Sequence, residues 1–356
     1  MSIVACGGCD DFDHCDDEQK LVNLFCKKVL NLNPVEMVGH CDITSMESTF
    51  RSLCIARNRF AATNHAVVII YASKYCSTNL IECASILQIP LKLIEPYIGS
   101  SSMDMHALVT SILLDNNDTP KSIIVVLTMG TSQKDGYDDI EDLYENVISK
   151  LQNNHEYHIH VDATFGGMVY PFIMQGWLCR PFDTFNVSFH KCLSLGNPYP
   201  CSLMLSSVGR MSVVINDDDE GGCGGSGRFI LSNSINRKAI IYINKILDNC
   251  DFIRDHTLFI HNCIKLRNDF ININDRVKTN IFDQNMGLCV ELLELPLELA
   301  TSLSKCDIIQ KKKNNSSDDN IYILFLNNAT FESIDRISTI LQCYYDVDDI
   351  LKHIQS

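Results

Sequence analysis

Apolar residues recur along this chain in two rhythms. Residues 18–30 bring Leu21, Leu24, Phe25 and Leu30 near one helical face, and residues 47–60 do the same with Phe50, Leu53 and Cys54. Short apolar runs alternate with helical stretches: Val67–Tyr71, Leu91–Ile94, Ile123–Thr128, His158–Val161, Phe185–Val187 and Ser202–Leu205. Short buried runs separated by helices predict an α/β domain on a mostly parallel sheet. In such sheets the ligand lies beyond the carboxyl ends of the strands, so the polar residues just after each run are the ones to examine.

The pattern breaks at residues 216–228, NDDDEGGCGGSGR, a loop or hinge by composition. A helical stretch comes next, with Ile235, Ala239, Tyr242, Ile243 and Ile246 at helical spacing. Strand-like Gly287–Leu293 and Ile321–Leu326 flank a polar insert, KKKNNSSDDN, which reads as a disordered surface loop. A last helix around Phe331–Tyr344 closes a smaller α+β domain. The expected organisation is a short helical segment over 1–40, a large domain over 41–248 and a small domain over 249–356.

Composition narrows the partners. Of 356 residues, 46% are hydrophobic and 21% charged, and the net charge is −15. That acidity argues against nucleic acid or an anionic membrane as the main partner, while leaving room for a local basic pocket. The opening MSIVACGGCDDFDHCDD lacks the basic start and apolar run of a signal peptide. No stretch approaches the ~20 apolar residues that span a bilayer. Seventeen cysteines are scattered through apolar segments such as Leu24-Phe25-Cys26 and Leu53-Cys54-Ile55, which reads as a reduced, cytoplasmic protein. Cys6 and Cys9, with His14 and Cys15 behind them, lack a second pair at matched spacing, so a flexible Cys-rich terminus is expected and no metal. His155, His158 and His160 are expected to be partly exposed strand histidines.

Two segments carry candidate chemistry. In His158-Ile159-His160-Val161-Asp162-Ala163-Thr164, an alternating strand ends on a carboxylate. In Asn186-Val187-Ser188-Phe189-His190-Lys191, a second short strand delivers Ser, His and Lys to a similar edge. An acid and then a lysine 29 residues later, each at a strand end, suit an aldehyde cofactor with a basic ring nitrogen. The amine forms the Schiff base, and the carboxylate keeps the ring nitrogen protonated so that the ring accepts electrons.

These segments resemble the group II pyridoxal-phosphate-dependent amino-acid decarboxylases, of the aspartate-aminotransferase fold type. His160-Val161-Asp162-Ala163-Thr164-Phe165-Gly166-Gly167 is similar to the family's pyridine-binding segment, and Ser188-Phe189-His190-Lys191 to its Schiff-base motif. Pro200-Cys201 resembles the histidine and serine decarboxylase branch. The resemblance implies a type I fold, with a seven-stranded-type sheet in a large domain plus a small C-terminal domain. It also implies pyridoxal 5'-phosphate as cofactor and a homodimer. By position, Lys191 takes the cofactor, Asp162 its ring nitrogen, and Ala163 packs on the ring. Ser188 and His190 contact the phosphate; His190 reads also as a structural histidine. Thr131 lies near the cofactor and the substrate carboxylate, or simply caps a loop, and Asp138 matches the acid that comes after it. Ser45, Met46, Glu47 and Ser48 occupy the phosphate loop that opens a helix; the alternative for the two serines is ordinary N-terminal caps with no ligand. Gly225-Ser226-Gly227-Arg228 resembles the turn before the domain-connecting helix.

The departures are specific. Where the family stacks a His on the cofactor ring, this chain has Ser77, in Ser73-Lys74-Tyr75-Cys76-Ser77. Thr44, Ser45 and Met46 replace the Gly-Gly-Thr of the phosphate loop. The implied reaction is decarboxylation of a small amino acid, histidine- or serine-like. The alternatives are an altered reaction (aldehyde formation, lyase or transamination) or a degenerate, non-catalytic relative.

Overall fold

The computed structural model describes residues 12–61, 68–115, 122–130, 136–151, 155–174, 176–191, 200–208 and 233–272. It also describes the short stretches 279–280, 289–292, 309–313, 320–325, 336–337 and 339–340. Seven strands form one sheet: β1 (Met37–Asp42), β2 (Val68–Ser73), β3 (Leu91–Ile94), β4 (Ser122–Thr128), β5 (Glu156–Asp162), β6 (Thr184–Ser188) and β7 (Ser202–Ser207). Their order is β1-β7-β6-β5-β4-β2-β3. The pairs from β3 to β6 are parallel, whereas β7 runs antiparallel to both β6 and β1. The mostly parallel seven-stranded α/β sheet expected from the sequence is therefore present.

Helices cover both faces. They are α1 (Phe12–Phe25), α2 (Ser45–Ala61), α3 (Thr78–Ile86), α4 (Met105–Leu114), α5 (Ile140–Leu143) and α6 (Tyr170–Ile173), then α7 (Asn233–Asp248) and α8 (Phe252–Asn272). Successive residues of a strand point to opposite faces, and β4 shows the consequence. Ile124 and Val126 pack with Leu53, Phe60 and Leu80 of α2 and α3. Ile123, Val125 and Leu127 join Leu21 and Phe25 of α1 in the larger core. Every residue of β4 is buried, as suits an interior strand covered on both faces.

Under α2 the character of the sheet changes. There β5 presents His158, His160 and Asp162, and β6 presents Thr184, Asn186 and Ser188, all buried. α2 meets them with its own buried Ser45, Ser48, Thr49 and Ser52. Asn186 Nδ2 donates to Thr49 Oγ1 at 2.9 Å, and Thr49 Oγ1 donates to the Ser45 carbonyl at 2.8 Å. Both imidazoles approach one hydroxyl: His158 Nε2 and His160 Nδ1 lie 2.9 and 3.0 Å from Thr184 Oγ1. His158 and His160 are thus fully buried rather than partly exposed, because β6 and α2 cover this face of β5.

Other expectations need adjusting. β1 does not stand out as an apolar run, since Gly39 and His40 interrupt it, and it crosses the expected boundary at residue 40. Lys311, Lys312 and Lys313 are not loop; they form part of strand β10 (Ile309–Lys313), antiparallel to β11 (Asn320–Phe325). β10 is one of the two outer strands of a four-stranded sheet in the order β10-β11-β9-β8, with β8 at Thr279–Asn280 and β9 at Cys289–Leu292. Lysines on an edge strand oppose further pairing. The 216–228 loop, Gly225 to Arg228, residues 314–319, Cys6 and Cys9 lie outside the described residues.

Candidate active site

Asp162 ends β5 at the carboxyl edge of the sheet, flanked in register by Thr128 of β4 and Asn186 of β6. It is 3% exposed. Its Oδ1 accepts the Thr164 hydroxyl at 2.6 Å and the Thr164 amide at 3.2 Å. No partner of Oδ2 occurs among the described residues, so one carboxylate oxygen is fixed and the other is uncommitted. Ala163 is next, buried, with its amide on the Asn186 carbonyl at 3.0 Å. The chain then turns tightly through Gly166. A Cβ there would stand 2.2 Å from the Met129 carbonyl oxygen. Only glycine lets the β5 loop pass this close to the loop after β4.

β6 ends at Ser188, and Lys191 lies one turn further on, its amide on the Ser188 carbonyl at 3.1 Å. Ser188 Oγ stands 2.9 Å from His190 Nδ1 and accepts from Ser202 Oγ at 3.1 Å. Burial of the ring pushes the His190 pKa below its usual value, with Lys191 adding to the effect against a bond to Cys201. His190 is therefore a neutral donor or acceptor at pH 7. Lys191 Nζ donates to Ser45 Oγ at 2.9 Å and sits 5.1 Å from the Phe165 ring centre.

Ser45 belongs to the first turn of α2. Thr44 and Glu47 form a capping box there: Glu47 N–H donates to Thr44 Oγ1 at 3.3 Å, and Glu47 Oε2 accepts from the Thr44 and Ile43 amides. Glu47 is thus occupied in starting the helix. Met46 packs into the α2–α3 cluster, and the Ser48 hydroxyl donates to Asp42 at 2.9 Å. The amides of Ser45 and Met46 have no acceptor among the described residues. Ser77 N-caps α3 and accepts from the Asn79 amide. Thr131 lies outside the described residues. The structure therefore gathers Lys191, Ser45, Ser188 and His190 with Asp162 at one sheet edge. Glu47, Met46 and Ser48 face helix-building or packing partners.

Sequence reasoning missed several participants. Asn79 Nδ2 donates to Ser45 Oγ at 3.0 Å. Thr164 orients Asp162, and its place two residues after an aspartate was the available signal. Asp138, already singled out in the sequence, is buried and accepts the Met103 and Thr128 amides at 2.6 and 2.8 Å, tying two loops to the end of β4. His256 on α8 lies 2.7 Å through Nε2 from the Met168 carbonyl, in the loop after Asp162; nothing local in the sequence signalled it.

The arrangement defines a class. An ammonium group stands beside the positive end of a 17-residue helix whose first amides are unpaired among the described residues. Such a concentration of donors and positive potential favours an anion. A few residues away in the sheet, a carboxylate oxygen waits for a protonated partner. The donor set fits an aldehyde that carries a phosphate and a basic ring nitrogen. Residues 26–205 match the pyridoxal-dependent decarboxylase conserved domain, and the chain belongs to that family.

Among curated relatives, a histidine decarboxylase of Vibrio campbellii is 26% identical over 209 residues, covering 56% of this chain and 50% of that one. A tryptophan decarboxylase of Clostridium sporogenes is 29% identical over 223 residues, with the same coverage. The chain spans about half the length of these relatives. The fold is similar to that of L-methionine decarboxylase from Streptomyces sp. 590, at a TM-score of 0.68 and 13% identity, covering 95% of this chain and 86% of that one. It is also similar to Rhodiola rosea 4-hydroxyphenylacetaldehyde synthase, at a TM-score of 0.69 and 14% identity, covering 93% and 74%.

Proposed function

We propose that this protein is a pyridoxal 5'-phosphate-dependent carboxy-lyase that converts a small amino acid, histidine- or serine-like, to its amine. The observation that carries the reading is the convergence of Lys191, Asp162 and the amino end of α2 on one sheet edge. When bound, the cofactor supplies an aldehyde for the lysine amine and a ring that takes up the electron pair left as carbon dioxide departs. This chain's residues do the rest. Lys191 provides the amine, and Asp162 Oδ2 keeps the ring nitrogen protonated while Thr164 holds Oδ1. The Ser45 and Met46 amides, with Ser188 and His190, hold the phosphate. Ala163 would pack on the ring.

The resemblance to the histidine and serine decarboxylase branch at Pro200-Cys201 supports the substrate class, as does the matching of histidine decarboxylases. We further propose a homodimer in the cytoplasm; the free thiols among the described cysteines suit a reducing compartment. A short helical segment over 1–40, a large domain over 41–248 and a small domain over 249–356 remain the proposed division, with the strand β1 straddling the first boundary.

A second reading has its own observation. Ser77, where the family stacks a His, is engaged as a helix cap, which favours an altered reaction such as aldehyde formation or loss of catalysis. One experiment separates these. The purified protein, loaded with cofactor, is expected to show a band near ~420 nm that borohydride or Lys191→Ala abolishes. Carbon dioxide and amine are then measured across an amino-acid panel. A full band with aldehyde as product supports the altered reaction, and absence of any lysine-dependent band rejects both cofactor-dependent reactions in favour of the non-catalytic relative.

A further inference from the structure

We propose that Asn79 is a positioning residue for the cofactor phosphate, acting through Ser45. The inference rests on the proposed cofactor and goes further, because it explains how a phosphate loop without its glycines works.

Close approach of a phosphate to backbone amides normally relies on glycine, and here the loop carries Thr44, Ser45 and Met46. The Ser45 side chain therefore stands where a phosphate would draw near the helix. A hydroxyl there is either an obstacle or a ligand, depending on its orientation. Two groups set that orientation. Lys191 Nζ and Asn79 Nδ2 both donate to Ser45 Oγ, at 2.9 and 3.0 Å. In the cofactor-free protein both lone pairs of Oγ accept, which leaves the hydroxyl proton as the group to donate to an arriving anion. Ser45 is 2% exposed, so water does not readily compete for that role.

The two donors differ in permanence. Lys191 is the residue that gives its amine to the cofactor, so its bond to Ser45 belongs to the cofactor-free protein. Asn79 stays. It is held in the first turn of α3, where Ser77 caps the helix and accepts the Asn79 amide at 3.2 Å. Once Lys191 is engaged, Asn79 is the group among those described that keeps the Ser45 hydroxyl turned toward the phosphate. The amide has a second N–H, so a direct bond to the phosphate is compatible with the same geometry. A purely structural role, tying α3 to α2, is the competing account.

The test uses the full-length protein stripped of cofactor. Saturable binding of pyridoxal 5'-phosphate and of pyridoxal, which lacks the phosphate, is followed by absorbance and fluorescence. Wild type, Asn79→Ala, Ser45→Gly and the double variant are compared. Asn79→Ala is expected to weaken pyridoxal 5'-phosphate binding roughly 5- to 10-fold, the scale of one ordinary hydrogen bond, while pyridoxal binding changes less than about 2-fold. In the Ser45→Gly background the same change is expected to add nothing further. Asn79→Asp, which sets a negative charge by the phosphate, is expected to weaken the phosphorylated form more than Asn79→Ala does, and it replaces the alanine variant if that one fails to fold. Equal weakening of both ligands, full additivity with Ser45→Gly, or an unchanged affinity for pyridoxal 5'-phosphate overturns the inference alone. Failure of wild type to bind pyridoxal 5'-phosphate in a Lys191-dependent way overturns the cofactor reading itself, and this inference with it.

Discussion

Thr164 puts two donors on one oxygen of Asp162 and leaves the other free among the described residues. The carboxylate is therefore aimed as well as buried, and its charge is what the proposed chemistry uses. Asp162→Asn keeps the shape and the Thr164 contacts but removes the charge. The variant is expected to retain a lysine-linked cofactor and to lose decarboxylation by about 100-fold or more, the scale on which preorganised electrostatic groups act. Equal carbon dioxide release by variant and wild type at matched cofactor loading rejects the role. Both Asp162 and the Ser-Phe-His-Lys segment were legible because each comes just after a short apolar strand, and the carboxyl edge is where α/β sheets place ligands. Asn79 was not legible. It reaches the site through a contact between two helices 34 positions apart in the chain, and no local pattern encodes such a meeting.

At the scale of elements, α2 ties the site together. Its capping box fixes the start of the helix and so fixes where the Ser45 and Met46 amides point. Glu47→Ala removes the acceptor of the Ile43 and Thr44 amides and is expected to cost about 1 kcal/mol of stability. Glu47→Gln is expected to retain most of it. Urea unfolding of the two variants checks this, and equal midpoints count against the box. The helix itself was legible from Phe50, Leu53 and Cys54. The polar face it covers was not, because His158 and His160 alternate as exposed strand residues do. Burial came from Thr184 of a strand 26 residues away and from the helix above. Similarly, β1 was hidden by Gly39 and His40, whose place in the sheet depends on pairing with β7.

The whole molecule carries a pH dependence from two opposed buried groups. Burial lifts the Asp138 carboxyl from 3.8 to about 6, against the pull of the Met103 and Thr128 amides. The folded state holds that proton more tightly, so this contribution to stability is complete below pH 3.8 and lost as pH rises to about 6. Burial lowers the His160 pKa from 6.5 to about 4, against the attraction of Asp162. The folded state resists that proton, so this contribution is present above pH 6.5 and lost as pH falls toward 4. Across the shared window the two slopes partly cancel. Asp138→Asn leaves the histidine unopposed, and the stability of the variant is expected to rise more steeply with pH between 4 and 6.5 than that of wild type. Urea midpoints measured through that range decide it, and parallel curves reject the assignment.

The pairing of β1 has a consequence for how the chain is made. Its sheet partner among the described strands is β7, and the residues that meet, such as Asp42 and Ser202, are about 160 positions apart. While the ribosome extends the polypeptide, β1 emerges first among the seven strands and waits longest, until β7 has come out after it. Nascent chains arrested before Ser202 are expected to be cut readily by protease near Met37–Asp42, and chains extended far enough beyond Ser207 for β7 to clear the ribosome to resist. The last strand added to this sheet thus closes the first, and the edge of the sheet that β1 forms is among the final parts to become safe from degradation.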